Sequence, residues 1–142
     1  MKNNFLLAVL AGSAIAFFGG WFIFGVLFSD YYMSNTNEAA KALIKSEPEI
    51  WAIAIGNIAW TFLITYVLQK TASTNFAKGF ITSLWVSLLI ILVFDLSIYA
   101  FWNIYNFGFV VVDVIISSVF WGIVGSVSGA ILGMKKKTVA LP

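Results

Sequence analysis

FLLAVLAGSAIAFFGGWFIFGVLF, residues 5–28, carries no charge from its first residue to its last. Coiled as an α-helix at 1.5 Å per residue it reaches about 36 Å, more than the roughly 30 Å of a bilayer's hydrocarbon core. A secretory signal would end its apolar run after about 7–15 residues, and this one continues to Phe28, so an uncleaved first span is expected. Three further stretches have the same character: 50–68, 79–102 with the single acid Asp95, and 108–133 with the single acid Asp113. Pro48 and Glu49 open the second, where a ring-fixed φ and a negative charge suit a helix's first turn. The whole 142-residue chain therefore reads as a single all-α domain, a four-transmembrane-helix bundle.

Composition agrees. Apolar residues make up 61% and charged residues 10%, against roughly 45–50% and 25% in soluble domains. So few charges do not cover the surface of a water-soluble globule, and the mean hydropathy is +0.98. The chain has no Cys and no His, and all eight of its basic residues are Lys. Thiol chemistry, zinc–thiolate sites, iron–sulfur clusters, imidazole-ligated metals and Ser-His-Asp catalysis are thereby excluded. No cofactor, no metal and no nucleic-acid partner is expected, and no enzymatic activity.

The lysines set an expected orientation. Lys2, Lys70, Lys78, Lys135, Lys136 and Lys137 fall on the side of the termini, whereas the other side has only Lys41 and Lys45. The positive-inside rule then makes both termini cytoplasmic, with localisation in a bacterial inner membrane. Tyr31, Tyr32, Trp51, Trp102 and Tyr105 form an aromatic belt near the outer span ends. The first loop, 29–48, is the one sizeable extramembrane piece. Asn37 as a cap, Glu38 in the first turn and strong helix formers predict a short helix over 37–46, resting Leu43 and Ile44 on the membrane surface.

Small residues mark where helices approach each other in lipid. The first span has Ala8, Gly12, Ala16 and Gly20 at four-residue spacing. The fourth has Ser118, Gly122, Ser126 and Ala130 on one face, with Gly125, Gly129 and Gly133 beside it, and the second has Ala52 and Gly56. These ridges predict that the first and fourth spans pack together within one protomer. A homodimer or a partner membrane protein is the alternative use of such a ridge. No internal repeat points to an inverted-repeat transporter.

The candidate site is a polar layer. Asp95 lies nine residues before Ile104, and Asp113 eight after Tyr105, so a helical hairpin brings both to nearly one depth in the outer third of the bilayer. Asn57 reaches a similar level on the second span. No lysine lies within a span, so neither acid has an intramembrane cation partner. Facing carboxylates in low dielectric resist ionising together. They share a proton, take two protons while bonding to Asn57 or Ser97, or hold a cation between them. Two acids and an amide are too few oxygens for Mg²⁺ or Ca²⁺, so protons or monovalent cations are the expected partners besides the lipid bilayer. The hydroxyls of Thr61, Thr65, Thr82, Ser83, Ser87, Ser117 and Ser118 are expected to bond the carbonyls of the preceding turn.

The run LLAVLAGSAIAFFGGWFIFGVLF of residues 6–28, with the Gly-rich WGIVGSVSGAILG of 121–133, resembles small four-helix bacterial membrane proteins grouped as a domain of unknown function. That resemblance implies topology and no activity. Small multidrug-resistance exporters are similar in size and helix count, but they are expected to carry an acid in the first helix, and here none precedes Asp30. Two functions follow as expectations: a proton- or cation-coupled transporter or channel-like protein using Asp95, Asp113 and Asn57, or a non-catalytic scaffold, accessory subunit or lipid-binding protein.

Overall fold

The computed structural model describes residues 2–134; the expected anchor at Lys135, Lys136 and Lys137 lies outside them. Every described element is helical. Four helices are long and apolar enough to cross a membrane, making this a multi-pass membrane protein. α1 (Lys2–Phe22) runs into a π-helical turn over Ile23–Leu27, and two short helices follow, α2 (Ser29–Ser34) and α3 (Glu38–Lys41). The remaining spans are α4 (Ile50–Lys70), α5 (Phe76–Phe101) and α6 (Phe107–Leu132). Side-chain caps start three of these helices. Asn37, Asn75 and Asn106 accept from the backbone N–H of Ala39, Lys78 and Phe109, satisfying donors that a helix's first turn leaves free.

The helix expected over 37–46 is shorter. α3 ends at Lys41, and Leu43 and Ile44 lie exposed in the turn beyond it. Pro48 disfavours helical geometry at Glu47, so the connector must straighten before α4 begins. α2, in contrast, was not expected as a helix. The chain leaves the π turn, resumes at Ser29 and folds its two tyrosines back over the bundle.

α6 is the central helix, with twelve buried residues along its length. Its small residues work on two sides. Gly122, Gly125 and Gly129 face α5: a Cβ on Gly125 would strike Ser83, one on Gly129 would come 3.0 Å from the Gly79 Cα, and one on Gly122 would meet the Phe80 ring at 2.9 Å. Gly133 abuts the Thr74 carbonyl in the α4–α5 turn. The closest approach of backbones is thus made with α5, through Gly79 and Ser83, rather than with α1. The α1 row packs instead on α6 side chains and on α4. Ala8 and Ala16 are fully buried, Ser128 Oγ donates to the Ala8 carbonyl at 3.3 Å, and Gly12 is held between Ser128 and Thr61. A Cβ on Gly20, further along, would meet the rims of Phe120 at 3.8 Å and Phe24 at 4.0 Å. Ala52 is exposed and Gly56 faces open space.

Candidate functional site

The α5–α6 hairpin sets the site. Asp95 lies six residues before the end of α5, and Asp113 six after the start of α6. Each is about 9 Å from the turn. On α5, Asp95, Ile91, Ser87, Ser83 and Gly79 follow one another at four-residue spacing, so the face that packs at Gly79 against Gly125 also presents Asp95 toward α6. The two carboxyls are neighbours across the α5–α6 interface, close enough for their charges to act on each other. Both residues are partly buried, and Asp95 Oδ2 is fully enclosed with no hydrogen-bond partner among the described residues.

Asp113 is held from two directions. The Tyr32 hydroxyl donates to Asp113 Oδ1 at 2.6 Å, and Ser117 Oγ, one turn along α6, donates to the same oxygen at 3.2 Å. Burial raises the Tyr32 hydroxyl above its ordinary value, and its bond to Asp113 adds to the shift. Tyr32 therefore remains protonated, and a donor, throughout the neutral range. Tyr105 is pushed in the same direction, first by burial and then by the charges of Asp113 and Asp95.

The segment carrying Tyr32 is tied down rather than loose. Tyr31 donates to the Gly108 carbonyl at 3.2 Å, the Asn37 N–H to the Ile104 carbonyl at 2.8 Å, and Asn106 Nδ2 to Asn35 Oδ1 at 2.7 Å. The Tyr32 ring packs against Phe109 at 4.9 Å and Phe24 at 5.9 Å, and Tyr105 stacks on Phe109 at 3.9 Å. The first loop and the α5–α6 turn thus form one cap over the acid pair. Sequence reasoning assigned both tyrosines to the aromatic belt and missed Tyr32 as a ligand of Asp113. The available signal was the absence of Gly or Pro between Phe28 and Ser34, which permits a helical turn there.

Asn57 sits elsewhere. Among the described residues no hydrogen bond joins it to either acid; instead it lines a cavity of about 770 Å³ between α1, the π turn, the start of α4 and α6. The wall is mainly Phe17, Phe18, Trp21, Phe24, Phe120 and Trp121, with Ser117 contributing a hydroxyl. Ser117 therefore belongs to both features: it faces the cavity and donates to Asp113. Ser97 does not join the site, since its hydroxyl donates to the Val93 carbonyl at 2.7 Å.

Deeper in the bundle the hydroxyls divide. Ser118 donates to the carbonyl of Val114 on the preceding turn. Thr61, Thr65, Ser83 and Ser87 are fully buried, and their hydroxyls, like that of Ser13, have no partner among the described residues. Ser83 and Ser87 lie on the α5 row that begins at Asp95. Near the opposite end of α5, Ser73 pairs with Thr82 at 2.9 Å and with Thr71 at 2.9 Å. Among the described residues no group of three or more acids, histidines or cysteines gathers to hold a metal ion.

Comparison with known proteins yields no matching family model, no matching characterised protein and no matching solved structure.

Proposed function

We propose that this is a small proton-coupled transport protein whose exchange site is the Asp95–Asp113 pair. The observation that carries this reading is the asymmetry between the two carboxyls. Asp113 accepts two hydroxyl donors on one oxygen, whereas Asp95 keeps an enclosed oxygen without a partner. Hydroxyl donors favour the carboxylate form. Asp113 is then the charged member, and Asp95 holds the exchangeable proton. An ionisable pair inside a span with no lysine beside it is costly to keep and is a functional site by default. The cap bearing Tyr32 limits access from the α2 end, and the row Ser87–Ser83 offers hydroxyls toward the other. Six lysines on the side of the termini against two on the other support cytoplasmic termini in a bacterial inner membrane.

The test is proton flux in proteoliposomes, wild type beside the Asp95→Asn/Asp113→Asn variant. The expected result is uptake by the wild type and none by the variant, with both proteins equally helical and monodisperse. Equal rates in the two would refute the proposal.

One observation favours a second reading, assembly with another helix. Ala52 and Gly56 are a small-residue pair on the surface of α4: Ala52 is exposed, and nothing among the described residues comes within 4 Å of a Cβ on Gly56. Under that reading Gly56→Leu dissociates an oligomer in cross-linking experiments and leaves proton flux per folded chain unchanged.

A further inference from the structure

The 770 Å³ cavity falls in the size range of small-molecule sites, and its lining follows their usual design: mostly aromatic and aliphatic surface with a few placed polar groups. Its extent runs from Pro48 at the rim to Ala16 inside, about 14 Å along α1 from Gly25 to Ala16. Two polar side chains face into it. Asn57 offers an amide with no hydrogen-bond partner among the described residues, and Ser117 carries the hydroxyl that donates to Asp113.

Charge decides what the cavity suits. Residues 5–28 and 50–65 contain no titratable side chain, so α1 and the facing part of α4 bring no positive charge to it. At the rim Glu49, between the lining residues Pro48 and Ile50, is paired with Lys45 at 2.8 Å; at the inner end Asp113 is reached through Ser117, with Asp95, Tyr32 from α2 and Tyr105 from the α5–α6 turn around it. The wall adds the π faces of Trp21, Phe24, Phe120 and Trp121, whose quadrupoles attract a cation and repel an anion. Aromatic faces with the acid pair behind them, no basic group among the lining residues, and a rim lysine already neutralised by Glu49 are complementary to positive charge on an apolar body.

We infer that this cavity binds a hydrophobic organic cation of roughly drug size. The inference rests on the proton-exchanging role of Asp95 and Asp113. The cation enters between α1 and α4, lays its apolar groups on the aromatic wall and brings its charge toward Ser117 and the acid pair. Its arrival displaces the proton from the Asp95 carboxyl to water. One positive charge replaces another, so the net charge of the site is unchanged. Phe24 contacts both the cavity and the Tyr32 ring, so an occupant also bears on the cap that holds Asp113.

The experiment uses the full chain in phosphatidylcholine nanodiscs, titrated with tetraphenylphosphonium and, separately, with tetraphenylborate, an anion of the same shape. Binding is read by equilibrium dialysis after subtraction of empty discs, with proton release followed by a pH dye. Saturable phosphonium binding is expected, with a proton released and no saturable borate binding. Affinity should fall at least tenfold in Asp95→Asn/Asp113→Asn. It should fall similarly in Gly20→Leu, whose added side chain occupies the cavity without a backbone clash. Absence of saturable phosphonium binding, equal binding of the two ions, as for a lipid-tail site, or unchanged affinity in Gly20→Leu would overturn the inference. Proton flux that depends on the acids, without phosphonium binding, removes the ligand class and leaves the proton site standing. Phosphonium binding without flux or proton release removes the exchange role instead.

Discussion

The two sides of α6 are built on opposite principles. Toward α5, Gly79 and Ser83 meet Gly125 and Gly129 so closely that added Cβ atoms have nowhere to go. Toward α1 and α4, near the α2 end, Phe24, Trp21, Phe120 and Trp121 stand around a cavity of about 770 Å³. Small residues close one interface and large ones hold the other open. In lipid, where apolar burial gives helices little reason to associate, the closed side depends on backbone contact and dispersion. The lesson is a division of labour. The α5–α6 hairpin fixes the depth and mutual facing of Asp95 and Asp113, while the α1–α4 side retains space next to them.

The largest effect expected on breaking this contrast comes from Gly125→Ile. The new side chain enters Ser83 and the Gly79 carbonyl, neither of which can retreat without separating the helices. A loss of about 3 kcal/mol or more is expected, seen as failure to recover monodisperse protein or as a large drop in its unfolding midpoint in detergent. The comparison sharpens along α1 itself. Gly12→Leu must displace Ser128 and Thr61, each 2.6 Å from the new Cβ, and should cost about 2–3 kcal/mol. Gly20→Leu meets ordinary contact at Phe120 and Phe24 and should stay within about 1 kcal/mol. Equal destabilisation by the two would mean that the cavity is not open space in the folded protein.

A smaller effect belongs to the cap. Tyr32→Phe removes the 2.6 Å donor to Asp113, at a cost of about 1–2 kcal/mol. Because the hydroxyl's value is raised in the folded state, that contribution is fully present below the ordinary tyrosine value of 10.0. It is lost only as pH rises through the folded value, so the stability difference between wild type and variant should be flat across the neutral range. Smallest of all is Ser87→Ala. Its hydroxyl is buried without a partner, so removal should leave stability unchanged or slightly improved. If protons travel along the α5 row, the same variant slows flux severalfold in proteoliposomes.

The spans were legible because the hydrocarbon core imposes a length and an uncharged composition that residues 5–28, 50–68, 79–102 and 108–133 satisfy directly. The common depth of Asp95 and Asp113 was legible for a similar reason: a short turn fixes the register of a helical hairpin, and helical rise does the rest. What sequence spacing did not convey was azimuth and partner choice. Asn57 has a depth near the acids, yet α4 turns it into the cavity wall. Gly122, Gly125 and Gly129 announced close approach, but small residues carry no mark of which helix approaches, and here it is α5. Tyr32 was illegible as a ligand because its position depends on a π turn and a fold-back held by contacts with Gly108, Ile104 and Asn106. Of the hydroxyls assigned to local carbonyls by propensity, Ser118 makes such a bond, Ser117 turns to Asp113, Thr82 pairs with Ser73, and Thr61, Thr65, Ser83 and Ser87 have no partner among the described residues.

The central claim, that Asp95 holds a proton beside a charged Asp113, is open to direct observation. Infrared spectra of the protein in lipid, with aspartate carboxyls isotopically labelled, report protonated and ionised groups in separate bands. At neutral pH one protonated carboxyl band is expected, lost in Asp95→Asn and retained at a shifted frequency in Tyr32→Phe. A spectrum with every aspartate ionised, or a protonated band that persists in Asp95→Asn, would contradict the account.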